Sequence, residues 1–184
     1  METIIGRVLA LVITALATVG VYQVYANARD NQNLNDFQTQ MAQIQQAVTS
    51  TYQRSSNRYN FGASAISATT AASLNLVPAS AVSGTGAAAV ITNPYGGTYS
   101  IASSSSTTSS FVVTATSVPG NACIQLLQTL SGNGLGLGFT AGSSGAAVGA
   151  APAKTFAAMA VGDIEAACTP ASGSTVTVSA FYNG

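Results

Sequence analysis

The chain has no histidine and no tryptophan, and only 5% of its 184 residues are charged, against about 25% in an average soluble protein. Without histidine there is no Ser-His-Asp arrangement and no imidazole to move protons near neutral pH. Five basic and five acidic residues cancel to zero net charge, and no basic patch exists, which excludes nucleic-acid binding through phosphate contacts. The acids Glu2, Asp30, Asp36, Asp163 and Glu165 form no constellation; Asp163 and Glu165, two positions apart, read as a solvated helix start. The two cysteines stand in no CxxC or CxH pair, so no metal site is expected. The run Gly132-Asn133-Gly134-Leu135-Gly136-Leu137-Gly138 is superficially like a phosphate loop, but it lacks the lysine and the strand-to-helix setting; it reads as a flexible or tightly turned loop. No cofactor and no catalysis are expected.

What the chain does have is an uncharged run from Val8 to Ala28. Ile4 to Tyr25 is 22 residues, roughly 33 Å of helix at about 1.5 Å per residue. That is long enough for a bilayer core about 30 Å thick. Glu2 and Arg7 flank the run on one side, Arg29 and Asp30 on the other, and Tyr22 and Tyr25 lie near the second flank, where rings favour the membrane interface. A cleaved signal peptide is the alternative. It would have a basic start and a shorter apolar core, whereas here Glu2 precedes Arg7 and helix-compatible sequence continues.

From Arg29 to about Gln53 the helix becomes amphipathic. Leu34, Phe37, Met41, Ile44 and Val48 recur at spacings of 3 and 4, and no proline or glycine intervenes between Val21 and Gly62. Such a stripe must pack on something, most simply the domain that follows. The expected organisation is a long helix over 1–53, with an apolar half at 1–28 that protrudes and an amphipathic half at 29–53 that docks. One globular domain follows over 54–184. Low charge with abundant Ser, Thr, Ala and Gly suits surfaces that are covered by neighbours or modified.

Within that domain, Tyr59 to Ala71 reads as a loop and Ala71 to Leu76 as a short helix ended by Pro78. Ala89-Val90-Ile91 and Thr98-Tyr99-Ser100-Ile101 read as partner strands across the turn Asn93-Pro94-Tyr95-Gly96-Gly97. The Ser/Thr tract 103–110 reads as a hairpin tip, open to O-glycosylation or service as a polar surface. Phe111 to Thr116 reads as a strand, Ala122 to Leu130 as a helix, and Gly132 to Gly149 as a loop with a weak strand at Gly136 to Thr140. A short helix is expected around Asp163 to Ala167, and Thr175 to Phe181 alternates as a last strand. Strands grouped after one long helix, without β-α-β alternation, predict an α+β domain with an antiparallel sheet. Cys123 and Cys168 pair if the domain is exported, closing the loop 123–168; two free buried thiols are the alternative.

An apolar-then-amphipathic N-terminal helix, the Asn93-Pro94-Tyr95-Gly96-Gly97 turn, the Ala122-Cys123 helix, the Glu165-Ala166-Ala167-Cys168 segment and the closing strand to Phe181-Tyr182 together resemble a type IV pilin. The turn is similar to that of the type IVb subclass, and the C-terminal part to bundle-forming pilins. The resemblance covers nearly the whole chain. It implies a long protruding helix packed on an antiparallel sheet. It also implies processing by a prepilin peptidase, passage through the inner membrane, and polymerisation with copies of itself by a pilus assembly machinery. The product would be a surface filament serving adhesion, aggregation, motility or conjugative transfer. Met1 would then be the mature, N-methylated first residue. The family's usual glutamate stands at the fifth position, whereas here position 5 is Ile5 and the acid is Glu2. Glu2 either pairs with Arg7 or a neighbour's α-amino group during assembly, or marks topology with Arg7 at the membrane interface. A membrane-anchored adhesive domain that does not polymerise and a phage-type filament coat protein are the other readings of the whole chain.

Overall fold

The computed structural model describes the chain apart from residues 1, 54–58, 60, 62–63, 105–109, 135, 171–174 and 184; for residues 2–24, 26 and 161 it describes the backbone alone. The chain divides into two compact units, Met1–Asp36 and Phe37–Gly184. The first unit is helical, belonging to helix α1 (Glu2–Tyr52). Among the described residues no helix is long and apolar enough to cross a membrane. Most of the uncharged run Val8–Ala28 falls where only the backbone is described.

The second unit begins with the last turns of α1. There the expected stripe is buried: Phe37, Ile44 and Val48 are fully enclosed and Met41 nearly so; Leu34, the stripe's first residue, falls in the first unit and is half-buried. Helix α2 (Ala68–Ser73) starts three residues earlier than expected because Ser67 caps it, its hydroxyl accepting the N–H of Thr70 at 3.2 Å. It ends before Leu76 because Asn75 turns to a left-handed φ of 52°.

Strand β1 (Val82–Ser83) pairs antiparallel with β2 (Val90–Ile91). This corrects the expected hairpin: β2 does not pair with the strand after the turn, and a single bridge, Thr92 to Thr98, joins the two sides. Then come β3 (Tyr99–Ser103), β4 (Ser110–Pro119), α3 (Gly120–Gly132), β5 (Gly136–Gly142), β6 (Lys154–Thr155), α4 (Val161–Cys168) and β7 (Thr175–Asn183). Strands β3, β4, β7, β5 and β6 form one sheet in that order, every pair antiparallel. The last strand therefore inserts in the middle. Strands β3 and β4 meet at Ser103 and Phe111 as the hairpin reading requires; most of the Ser/Thr tip lies outside the described residues.

Strand β5 is longer than the weak strand expected, and its glycines explain both facts. Glycine weakens a strand on propensity alone. Here a Cβ at Gly136 would collide with the ring of Phe156, and one at Gly138 with the Lys154 carbonyl. The bare backbone is what lets β6 and its flank approach.

Both faces of the sheet are covered. The register puts Tyr99, Ile101, Phe111, Val113, Ala115, Val178, Ala180 and Tyr182 on one face, all buried. Phe37 of α1 packs on that face, its ring stacked on Tyr99 with centroids 5.9 Å apart. The other face carries Ala102, Val112 and Phe181, against which Ala65, Leu137 and Ala146 pack.

Candidate functional site

A dense polar constellation in the second unit is the Asn93–Gly97 turn, and it grows from a single side chain. Asn93 is 5% exposed. Its Oδ1 accepts the N–H of Tyr95 at 2.9 Å and of Gly97 at 3.0 Å, and its Nδ2 donates to the Thr116 carbonyl at 2.7 Å. The backbone closes the same turn twice, from Asn93 N–H to the Gly97 carbonyl and from Gly96 N–H to the Asn93 carbonyl. Gly96 has φ 80°, a conformation costly for any residue with a Cβ. Gly97 lies so close to Thr116 that a Cβ would strike its carbonyl and the Asn93 amide. Asn93, Gly96 and Gly97 thus each have a local reason to be there.

The turn faces two ways. Through Asn93 it holds the irregular stretch of β4 between Ala115 and Val118, where register with β7 slips and Ser117 has φ 58°. Through Tyr95 it holds α1: the ring meets Phe37 edge-on with centroids 5.6 Å apart. Sequence reasoning gave this motif only a turn's role. The structure makes it the joint between helix and sheet.

A second constellation ties the far end. Cys123 in α3 and Cys168, the last residue of α4, are disulfide-bonded, with Cα atoms 5.7 Å apart across 45 positions. Both are buried. Near the start of α4, Asp163 accepts the Ala160 N–H at 2.9 Å and pairs with Lys154 at 3.2 Å, stitching β6 to the helix. The Ala160 N–H, and after it Lys154, hold the Asp163 carboxyl below the usual carboxylate range. Ala160 offers no side-chain acceptor, so only the Asp163 half of a capping box forms.

Under α1 the sheet presents buried phenols. Burial, and then the nearby Tyr182 and Tyr95, push the Tyr99 hydroxyl well above its ordinary value; burial does the same at Tyr182. These groups stay neutral and serve packing. A shallow groove of about 370 Å³ runs between α1 and the segment after α2, with Gln43, Gln46, Asn75 and Pro78 among its walls. Among the described residues no group of three or more His, Cys, Asp or Glu could hold a metal ion. Met1 lies outside the described residues, as do the side chains of Glu2 and Arg7.

The profile of the PilS N-terminal family matches residues 25–181. The chain belongs to that family. Among solved structures it is similar to a type IVb pilin from Salmonella typhi, at 20% identity and a TM-score of 0.56, over 84% of this chain and 99% of that one. It is also similar to TcpA, a type IV pilin from Vibrio cholerae El Tor biotype, at 18% identity and a TM-score of 0.52, over 83% of this chain and 99% of that one. At these identities the likeness is one of fold. No curated protein sequence matches the chain. Family and fold together make it a type IV pilin. In this pilin the Asn93 turn, the Cys123–Cys168 disulfide and the central last strand belong to the globular part.

Proposed function

We propose that this pilin is the major structural subunit of a surface filament and has no catalytic role. The apolar N-terminal half, residues 1–28, anchors it in the inner membrane and then moves into the fibre core, where identical helices replace lipid. The amphipathic half, 29–53, carries the domain 54–184 at the fibre surface. Stacking of copies by a rise and a rotation gives an open, heterologous assembly. Met1, Glu2 and Arg7 are the assembly residues in this reading. Adhesion, aggregation, motility and conjugative transfer are the uses such a fibre serves.

The observation that carries this reading is the change of character along one helix. Glu2–Tyr52 is a single element. Its stretch from Phe37 to Val48 has a buried stripe, yet Val8 to Ala28 has no polar face to leave in water. Such a segment needs lipid or its own kind. Electron microscopy of a sheared cell-surface fraction, with antibody to the domain, tests it. Labelled fibres are expected; the chain found only as membrane-bound monomer would favour a non-polymerising adhesive domain instead.

A further inference from the structure

We propose that Asn133 is a site of spontaneous deamidation, in which the Gly134 nitrogen attacks the Asn133 side chain. This inference is independent of the pilin reading. Asn133 is the first residue beyond α3 and is exposed, as are Gly132 and Gly134 on either side. A Cβ at Gly132 or Gly134 would meet nothing within 4 Å, and Gly134 has φ 63°. The segment therefore has open space around it and glycine's conformational freedom on both sides. Asn133 N–H bonds the Thr129 carbonyl at 3.1 Å, whereas the Gly134 N–H makes no backbone hydrogen bond to a described residue.

The step needs only water. The Gly134 amide nitrogen forms a bond to Cγ of Asn133 and gives up its proton. The Cγ–NH2 bond breaks and ammonia leaves. Water then opens the cyclic imide at one carbonyl or the other, giving aspartate or isoaspartate. Nothing is oxidised or reduced. A residue without a side chain next to the asparagine is what lets the nitrogen reach Cγ.

Asn183 is also followed by a glycine, but it is held in β7 opposite Ser110 of β4, and three further described asparagines lack these conditions. Asn93 is buried, its side chain holds three hydrogen bonds, and Pro94 after it has no N–H to give up. After Asn75 the candidate nitrogen, Leu76 N–H, is bonded to the Ala71 carbonyl at 2.8 Å. Asn121 is followed by Ala122, which is buried inside α3.

The charge consequence is large for so neutral a domain. Over the domain 54–184 the chain has three cations, Arg54, Arg58 and Lys154, and two anions, Asp163 and Glu165, a net charge of +1. Conversion of Asn133 cancels that charge and sets the new carboxylate at the C-terminal end of α3, where the helix dipole opposes it. A long-lived copy of the chain would gain this charge with age.

The test is peptide mapping by mass spectrometry of the folded, disulfide-intact protein after incubation at mildly alkaline pH. Asn133 should convert at least about tenfold faster than Asn121 in the same sample, a barrier lower by about 1.4 kcal/mol. Isoaspartate should be found at position 133, and Asn133→Gln should abolish the mass change of the peptide that carries that position. Conversion of Asn133 no faster than Asn121, or conversion seen only after unfolding, would overturn the proposal.

Discussion

The side-chain amide of Asn93 donates to the carbonyl of Thr116 at 2.7 Å, and Thr116 sits where strand β4 slips out of register with β7. A buried amide thus ties the turn before β3 to the irregularity in β4, while Thr116 also bonds the far side of the same turn, its N–H reaching the Thr98 carbonyl at 3.0 Å and its Oγ1 accepting the Thr98 N–H at 2.8 Å. Turn and bulge hold each other.

Asn93→Ala should therefore remove three side-chain hydrogen bonds and leave the Thr116 carbonyl without this donor. The expected loss is about 2–3 kcal/mol, the scale of stranding buried polar groups. Denaturant unfolding of the globular part measures it, and a loss under about 0.5 kcal/mol, the size of a neutral surface change, would mean the turn holds without the latch.

Replacing both Cys123 and Cys168 by serine should cost about 4 kcal/mol on the chain-entropy account of a loop of 45 positions. Thermal unfolding of the variant against the parent reads the effect. Reduction of the parent protein, if the buried bond is reached after partial unfolding, should reproduce it.

Ser179 is fully buried on the face away from α1, its hydroxyl meeting the Thr114 hydroxyl at 2.8 Å and accepting the Ala146 N–H at 2.8 Å. Ser179→Ala should destabilise by about 1–3 kcal/mol and loosen the segment around Ala146 over the sheet. Hydrogen exchange at Ala146 should quicken in the variant; unchanged protection there would show that packing of Ala146 on Phe181 and Val112 suffices.

Asp163 gives a pH dependence with a definite sign. Its carboxyl is held below the ordinary value in the folded state by the Ala160 N–H and by Lys154. A depressed pKa contributes stability that is present above the unfolded-state value and lost as pH falls through the folded-state value. The thermal midpoint of the parent should exceed that of Asp163→Asn at neutral pH, and the gap should close in acid. A gap that widens on acidification would contradict the assignment. The pair is partly exposed, so the gap should be small and should shrink with added salt.

If the fibre reading holds, Glu2 and Arg7 enter a dry core in every subunit, where losing one partner of a buried pair costs about 3–5 kcal/mol. Glu2→Ala should leave the membrane-held subunit abundant and sharply reduce fibres. Arg7→Ala should do the same if Arg7 is the partner, and little if a neighbour's α-amino group is. Fibre yield measured after shearing decides; normal yield from both variants would leave these charges as topology markers.

Much of this fold is legible locally. The spacing of Phe37, Met41, Ile44 and Val48 announces the buried stripe of α1, and those four side chains are buried. The alternation through Thr175 to Phe181 announces the last strand, and Ala122 to Leu130 announces α3. A helix cap and a stripe are written within a few residues of each other, so a single sequence carries them. The turn chemistry of Asn93 to Gly97 is legible in the same way, because φ at Gly96 and the bonds to Asn93 Oδ1 are short-range.

Strand partners are not written locally. Backbone N–H and C=O groups are alike in every strand, so nothing near Val90-Ile91 says that it pairs with Val82-Ser83 rather than across the turn. Nor does Thr175–Asn183 say that it lies between β4 and β5. One signal was available: Phe111-Val112-Val113 and Ala180-Phe181-Tyr182 are apolar without alternation, as strands covered on both faces are. The sequence by itself determined the helix, its two characters, the turn and the antiparallel class. Only the tertiary structure decided the strand order, the second covered face, the glycine-paved approach of β6 to β5 and the Asn93–Thr116 latch. Those depend on packing between residues far apart in the chain, where close fit rather than local preference sets the energy.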